Sequence, residues 1–187
     1  MPLLLLASAS PRRSALLTQI GRAHAIAATD VDERALPGEP PAALVVRLAC
    51  AKARAGATGR PDARAVLGAD TVVALDDRVF GKPRDADDGA AMLRALSART
   101  HTVWSGVAVA HGGDIEHRLC ESQVRFRALS DAEIAAYWAS GEPRDKAGAY
   151  AVQGLAAAFI TRLEGSYSGV MGLPLYETSE LLARVGL

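Results

Sequence analysis

Apolar and polar positions along the chain change period several times, and each change marks an element. Leu3 to Leu6 form a compact apolar run met at once by small polar residues and a proline, which predicts a short buried strand. The next segment turns helical: Ser10 suits an N-cap, Pro11 the first helical position, and Leu16, Leu17 and Ile20 an apolar face that Gly21 closes. His24 to Thr29 predict a second short strand, and the Pro-Gly-Glu-Pro-Pro segment 37–41 a loop. Ala42 to Ala55 read as a helix with Leu44, Leu48 and Ala51 on one face. Ala65 to Leu75 are a strongly apolar strand that turns at Asp76-Asp77 into Arg78, Val79 and Phe80. Asp85 to Asp88 open a helix with Met92, Leu93 and Leu96 as its buried stripe, and His101–Ala110 and Ile115–Arg127 flank Gly112-Gly113 as a long hairpin. Ser130 and Glu133 fit a capping box for a helix ending at Ser140-Gly141. Leu155 to Thr161 read as a strand, and Pro174 starts a closing helix whose Leu175, Leu181, Leu182 and Val185 pack inward.

Composition narrows what such an alternation of strands and helices can be. The 187 residues suit one domain, or one domain with two lobes, and are enough to bury a sizeable core. Lysine plus arginine number 21 and aspartate plus glutamate 21, so affinity for a polyanion must come from a local cluster, and a nucleic-acid polymer is not an expected partner. Cys50 and Cys120 sit in apolar contexts without metal-ligand spacing and read as small core residues in a reducing compartment. No His pattern suggests a zinc site. The apolar start MPLLLLASAS is too short and lacks a basic leader for a signal peptide, and no stretch is long enough to span a membrane. The expectation is a cytoplasmic protein.

Candidate chemistry lies where residues break local rules. Arg12 and Arg13 fall in the first turn of a helix, where the dipole disfavours cations. They serve either as partners of surface carboxylates or, with the backbone N–H groups and the Ser8 and Ser10 hydroxyls, as a phosphate cradle. Lys52 near a helix end suits the dipole as a plain surface charge and is equally a candidate ligand contact. Asp70 interrupts an apolar strand, where an unpaired carboxylate costs several kcal/mol, so it faces a metal, a cation or a cleft, or accepts backbone N–H groups at a bulge. Lys82 stands between Gly81 and Pro83, which present a rigidly aimed ammonium. In DKAGAYAVQG, 145–154, Lys146 and Gln153 are the polar groups best placed for function, and the glycines at 148, 154, 165, 169 and 172 mark sharp turns or close approaches. Trp104 and Phe126 are core candidates first.

These stretches occur together in an order that resembles the Maf family of nucleoside triphosphate pyrophosphatases along nearly the whole chain. The resemblance is carried by LASASPRR, VDE at 31–33, Ala-Lys-Ala around Lys52, GADTVV, GKP, Leu96-Ser97, DKAGAY with Gln153-Gly154, and GSYS with GLPL. It implies an α/β fold with a long twisted mixed sheet flanked by helices, two lobes and a cleft between them, over a single domain spanning 1–187. It also implies a homodimer. The activity implied is hydrolysis of a nucleoside triphosphate to monophosphate and pyrophosphate with a divalent cation, Mg²⁺ or Mn²⁺; the KAGAY form followed by glutamine is similar to the branch acting on dTTP and UTP, with modified pyrimidine nucleotides as further substrates. Carried onto this chain, Asp70 is the proton acceptor, Arg12, Thr71 and Gln153 are associated with base choice, and Ser8, Arg13, Glu33, Lys52 and Lys82 line the cleft.

The chemistry of the residues agrees with that assignment. Arg12, Arg13, Lys52 and Lys82 supply charge for a triphosphate, while Glu33 and Asp70 offer hard oxygen ligands to the cation. Asp70, Lys82 and Glu33 form the expected catalytic group, and Ser8, Arg12, Arg13, Lys52, Thr71, Lys146 and Gln153 the substrate-binding group. Whether Asp70 takes the proton itself or chiefly positions a metal-bound water stays open at this stage. An amide at Gln153 both donates and accepts, which matches the O4 and N3–H edge of uracil or thymine. Three stretches depart from the family pattern: Ala151-Val152 for Gly-Ile, Ala98 for a glycine after Leu-Ser, and Gly169-Val170-Met171 for Asn-Val-Val. If residue 151 needs a positive φ, its alanine is strained and shifts Gln153. A non-catalytic nucleotide-binding regulator of cell division is the alternative reading.

Overall fold

The period changes in the sequence resolve, in a computed structural model that describes residues 4–60, 63–76 and 78–187, into an α/β fold with a mixed seven-stranded sheet flanked by helices. The elements are β1 (Leu4–Leu6), α1 (Pro11–Gln19), β2 (Ala25–Ile26), α2 (Pro41–Ala57), β3 (Ala65–Leu75), β4 (Arg78–Phe80), α3 (Ala86–Leu96), β5 (Thr100–His111), β6 (Asp114–Phe126), α4 (Asp131–Ala139), β7 (Ile160–Glu164), α5 (Tyr167–Met171) and α6 (Leu175–Arg184). The sheet order is β2-β1-β3-β5-β6-β7, with β4 also paired to β3. β1 runs parallel to both β2 and β3, whereas β3–β4 and β6–β7 are antiparallel. Leu3 and Asp77, expected in a strand and a turn, lie outside the described residues. No helix among the described residues is long and apolar enough to cross a membrane.

Several boundaries move for local reasons. Pro41 joins α2 as its first residue rather than the loop, as proline's fixed φ allows. The second strand is only Ala25–Ile26. Leu155–Phe159 is a 3-10 turn, so β7 begins at Ile160. Ser10 takes the N-cap position of α1, but its side chain makes no capping bond. Trp104 and Cys50 are half-buried rather than core, as are Leu175 and Val185 in the last helix.

The described residues fall into two compact units: 4–60, 63–71, 105–120 and 172–187 in one, and 72–76, 78–104 and 121–171 in the other. In the first, leucines such as Leu6, Leu17, Leu67 and Leu181 are fully buried, and one cluster of the core is built from small side chains, among them Ala7, Ala49, Ala53, Val66 and Ala108. Small residues let α2 lie close on β3 and β5. A Cβ on Gly68 would stand 2.2 Å from the Ala49 carbonyl oxygen, and one on Gly106 would stand 2.4 Å from that of Val45. The second unit has a bulkier core of Phe80, Leu93, Leu96, Phe126, Ile134, Tyr137, Tyr150 and Phe159.

Two features of the second unit carry unusual energies. Ala98 has φ 59°, left-handed backbone that costs an alanine about 1–2 kcal/mol, and it is held there by its N–H to the Arg127 carbonyl at 3.0 Å. Residue 151 has no positive φ, so the strain anticipated there is absent; Ala149, at φ 58° and fully buried, carries it instead. His101 is 2% exposed, edge-on to Phe126 and Tyr150. Its Nε2 meets the Tyr150 hydroxyl at 2.8 Å, and its Nδ1 has no hydrogen-bond partner among the described residues.

Ala98→Gly is expected to raise stability by about 1 kcal/mol, because relief of the left-handed strain exceeds the added freedom of the unfolded chain; urea unfolding checks this. Burial holds the His101 imidazole down at about 4, below its ordinary 6.5. The unfolded chain therefore binds the proton first, and stability falls as pH drops from about 6.5 to about 4, by roughly 3 kcal/mol in full. His101→Gln should flatten the pH dependence of the unfolding midpoint in that window.

Candidate functional site

The alternation of β3 sends Gly68 and Asp70 to the same face of the strand, the face on which α2 packs. Because Gly68 admits the helix backbone next to Ala49 and Ala53, Lys52 from the same helical turn reaches Asp70. Its Nζ lies 2.7 Å from Asp70 Oδ1 and 2.6 Å from Glu33 Oε1. Both Lys52 and Asp70 are buried at 7% exposure, so the strand carboxylate faces a cation, one of the outcomes its sequence setting required. Glu33 arrives from the segment between β2 and α2. That segment is braced by Arg47 of α2, which binds the Glu39 carboxylate at 2.6 and 2.7 Å and the Arg34 carbonyl at 3.0 Å. Arg34 in turn forks onto Asp32.

The start of α1 contributes the arginines. Arg13 Nε donates to the Gly172 carbonyl at 2.7 Å and Nη1 to Ser8 Oγ at 3.1 Å, while Ser8 Oγ also accepts the Ser10 N–H. Burial lowers the Arg13 guanidinium's pKa from its usual value; the Asp70 carboxylate raises it, Arg12 lowers it further and Glu33 raises it. Arg13 is thus within the field of both carboxylates and of Arg12. Thr71, pointing to the opposite face from Asp70, shares a hydrogen bond with Ser105 Oγ at 2.9 Å and reaches Gly172 O at 3.4 Å. Ser8, Arg12, Arg13, Glu33, Lys52, Asp70 and Thr71 therefore come together within the first unit. Three cations stand against two carboxylates, leaving a basic balance suited to an anion.

The remaining predicted residues belong to the second unit. Lys82 is exposed on the Gly-Lys-Pro loop, and the Gly81 carbonyl accepts the Gly148 N–H at 3.0 Å, which ties that loop to the segment bearing Lys146. Lys146 Nζ is paired with Asp145. Gln153 is exposed in a tight turn closed by the Gly154 N–H on the Ala151 carbonyl at 3.1 Å. Reading the sequence passed over Arg47, Ser105 and the Gly172 carbonyl. Gly172 sits 159 positions from Arg13, and backbone acceptors leave no signature in residue type.

The described residues hold no cluster of three or more His, Cys, Asp or Glu side chains that could cage a metal. What the site offers is two carboxylates gathered on one ammonium. That donor set fits Mg²⁺ or Mn²⁺, which take one or two protein carboxylates and complete their shell with water and phosphate oxygens.

Compared with known proteins, residues 3–185 match the family described as Maf-like protein. The chain is similar to the dTTP/UTP pyrophosphatase of Pseudoalteromonas atlantica, 48% identical over 99% of this chain and 98% of the relative. Proteins of the same name from Chromobacterium violaceum and Shigella dysenteriae are each 50% identical, covering 97% and 98% of this chain and 93% of either relative.

Lys52→Met leaves the buried Asp70 without its cation and should cost about 3 kcal/mol of stability in urea unfolding. Adding Asp70→Asn to that variant should recover most of the loss, since the stranded charge is then gone.

Proposed function

The chain belongs to the Maf family, and on that premise we propose that it hydrolyses dTTP and UTP to the nucleoside monophosphate and pyrophosphate. The observation that carries this reading is the pair of carboxylates held by Lys52 beside Arg12 and Arg13. Relatives about 50% identical over nearly the full length, named dTTP/UTP pyrophosphatase, support the choice of substrate. In this reading the arginines, with Ser8, bind and orient the phosphoryl oxygens. Attack of water at the α-phosphorus breaks its bond to the bridging oxygen of the β-phosphate, and pyrophosphate departs with that electron pair. Asp70 accepts the proton of the attacking water, and Lys52 fixes its carboxylate in place. Glu33 and Asp70 would hold the divalent cation, which when bound supplies Lewis-acid charge to the phosphate oxygens. By the family resemblance Lys82 takes a catalytic and Lys146 a substrate-binding role, and Arg12, Thr71 and Gln153 govern the choice of base. Modified pyrimidine nucleotides, a homodimeric state and a cytoplasmic location belong to the same reading through the family resemblance.

Incubation with dTTP, UTP, CTP and GTP plus Mg²⁺ or Mn²⁺ should release pyrophosphate from the first two in preference. Release of orthophosphate instead would overturn the cleavage position, and binding without turnover would favour the regulator. Asp70→Asn is expected to lower kcat by at least about 100-fold while the nucleotide still binds, as equilibrium dialysis would show.

A further inference from the structure

The turn that carries Gln153 is gripped at both ends by one pair of side chains. Ala151 opens the turn, and its N–H donates to the Tyr137 hydroxyl at 3.1 Å. Leu155 follows the turn, and its N–H donates to Glu142 Oε2 at 3.0 Å. The two side chains are themselves joined, the Tyr137 hydroxyl donating to Glu142 Oε1 at 2.7 Å. Between these anchor points Val152 is buried and Gln153 is exposed. Gly154 lies directly on the carboxylate: a Cβ there would stand 2.2 Å from Glu142 Oε2. The pair is fixed from behind as well. Tyr137 is buried edge-on to Phe159, and Ser140 Oγ donates to the Tyr137 carbonyl while accepting the Glu142 N–H. Burial and then the Glu142 carboxylate raise the phenol's pKa, so the hydroxyl stays protonated and keeps donating.

We infer that Tyr137 and Glu142 are positioning residues for base selection, holding the Ala151–Gly154 turn so that Gln153 is presented to the base from one fixed place. The inference rests on the reading of Gln153 as a base-contacting residue. An amide favours the O4 and N3–H edge of uracil or thymine only where its donor and acceptor reach both atoms at once, and a mobile turn would let Gln153 shift off that alignment. The two carboxylate oxygens divide the work, Oε1 accepting the phenol O–H and Oε2 the Leu155 N–H. Glutamine at 142 keeps the shape but offers one oxygen and one NH₂, so one of the two bonds is lost.

The test compares kcat/KM for dTTP, UTP and CTP in the full-length protein and in Tyr137→Phe, Glu142→Gln, Gly154→Ala and Gln153→Ala. Tyr137→Phe and Glu142→Gln are expected to reduce the preference for dTTP and UTP over CTP by about tenfold, mainly through KM, with kcat for dTTP changed by no more than about twofold. Gly154→Ala, which drives a methyl group against the carboxylate, should act in the same direction. Combining Glu142→Gln with Gln153→Ala should lower the preference no further than Gln153→Ala alone, because one acts through the other. If Gln153→Ala alters the preference and none of the three supporting variants does, the positioning role is wrong while the base reading stands. If Gln153→Ala itself leaves the preference unchanged, the base reading falls and this inference with it. Should Tyr137→Phe fail to fold, Glu142→Gln and the double variant decide the question.

Discussion

One ammonium group organises the first unit. Lys52 holds two carboxylates from different parts of the chain, one on the central strand and one on a loop, and neither has an apolar reason to be where it is. A buried ion pair adds little net stability, because desolvation consumes most of what attraction returns. Two well-packed apolar side chains in place of Lys52 and Asp70 would serve folding about as well. The arrangement makes sense as preorganisation: charges set in advance for a polyanionic substrate do not have to be reorganised during the reaction. The surrounding structure fits that view, since Arg47 braces the Glu33 segment from the same helix that carries Lys52.

The second unit solves a different problem by different means. Its residues of interest lie on irregular backbone, so hydrogen bonds rather than strand geometry must hold them. The Gly81–Gly148 bond ties one loop to another, and the left-handed pair Gly148 and Ala149 bends the chain sharply beneath Tyr150. A core rich in edge-on aromatic contacts stands behind these loops. Such rings bury large areas with few rotatable bonds, which suits a platform for exposed functional groups.

The sequence was most informative where local rules governed. The limits of β3, the Ser130–Glu133 capping box and the opening of α3 at its acidic run could be read from residue type and spacing. So could the importance of Asp70, because a charge in an apolar strand demands a partner; the identity of that partner as Lys52 could not, since it depends on helix-to-strand distance. Ala98 was visible as a departure from glycine, and its φ gives the departure a physical meaning. Alanine 151 was equally visible and turned out to be harmless. Leu155–Phe159 misled because its apolar run suits a 3-10 turn packed on a core as well as it suits a strand. Glu142 and Tyr137 escaped notice because what they bind is backbone.

Gly68 has a wider consequence for how this protein can change. A hydrogen atom in place of a side chain sets the gauge between a helix and a strand, and that gauge is also the distance between an ammonium and a carboxylate. An enlargement here would press the helix away from the strand and with it the ammonium from the carboxylate, so the chemistry depends on a residue that carries none of its own.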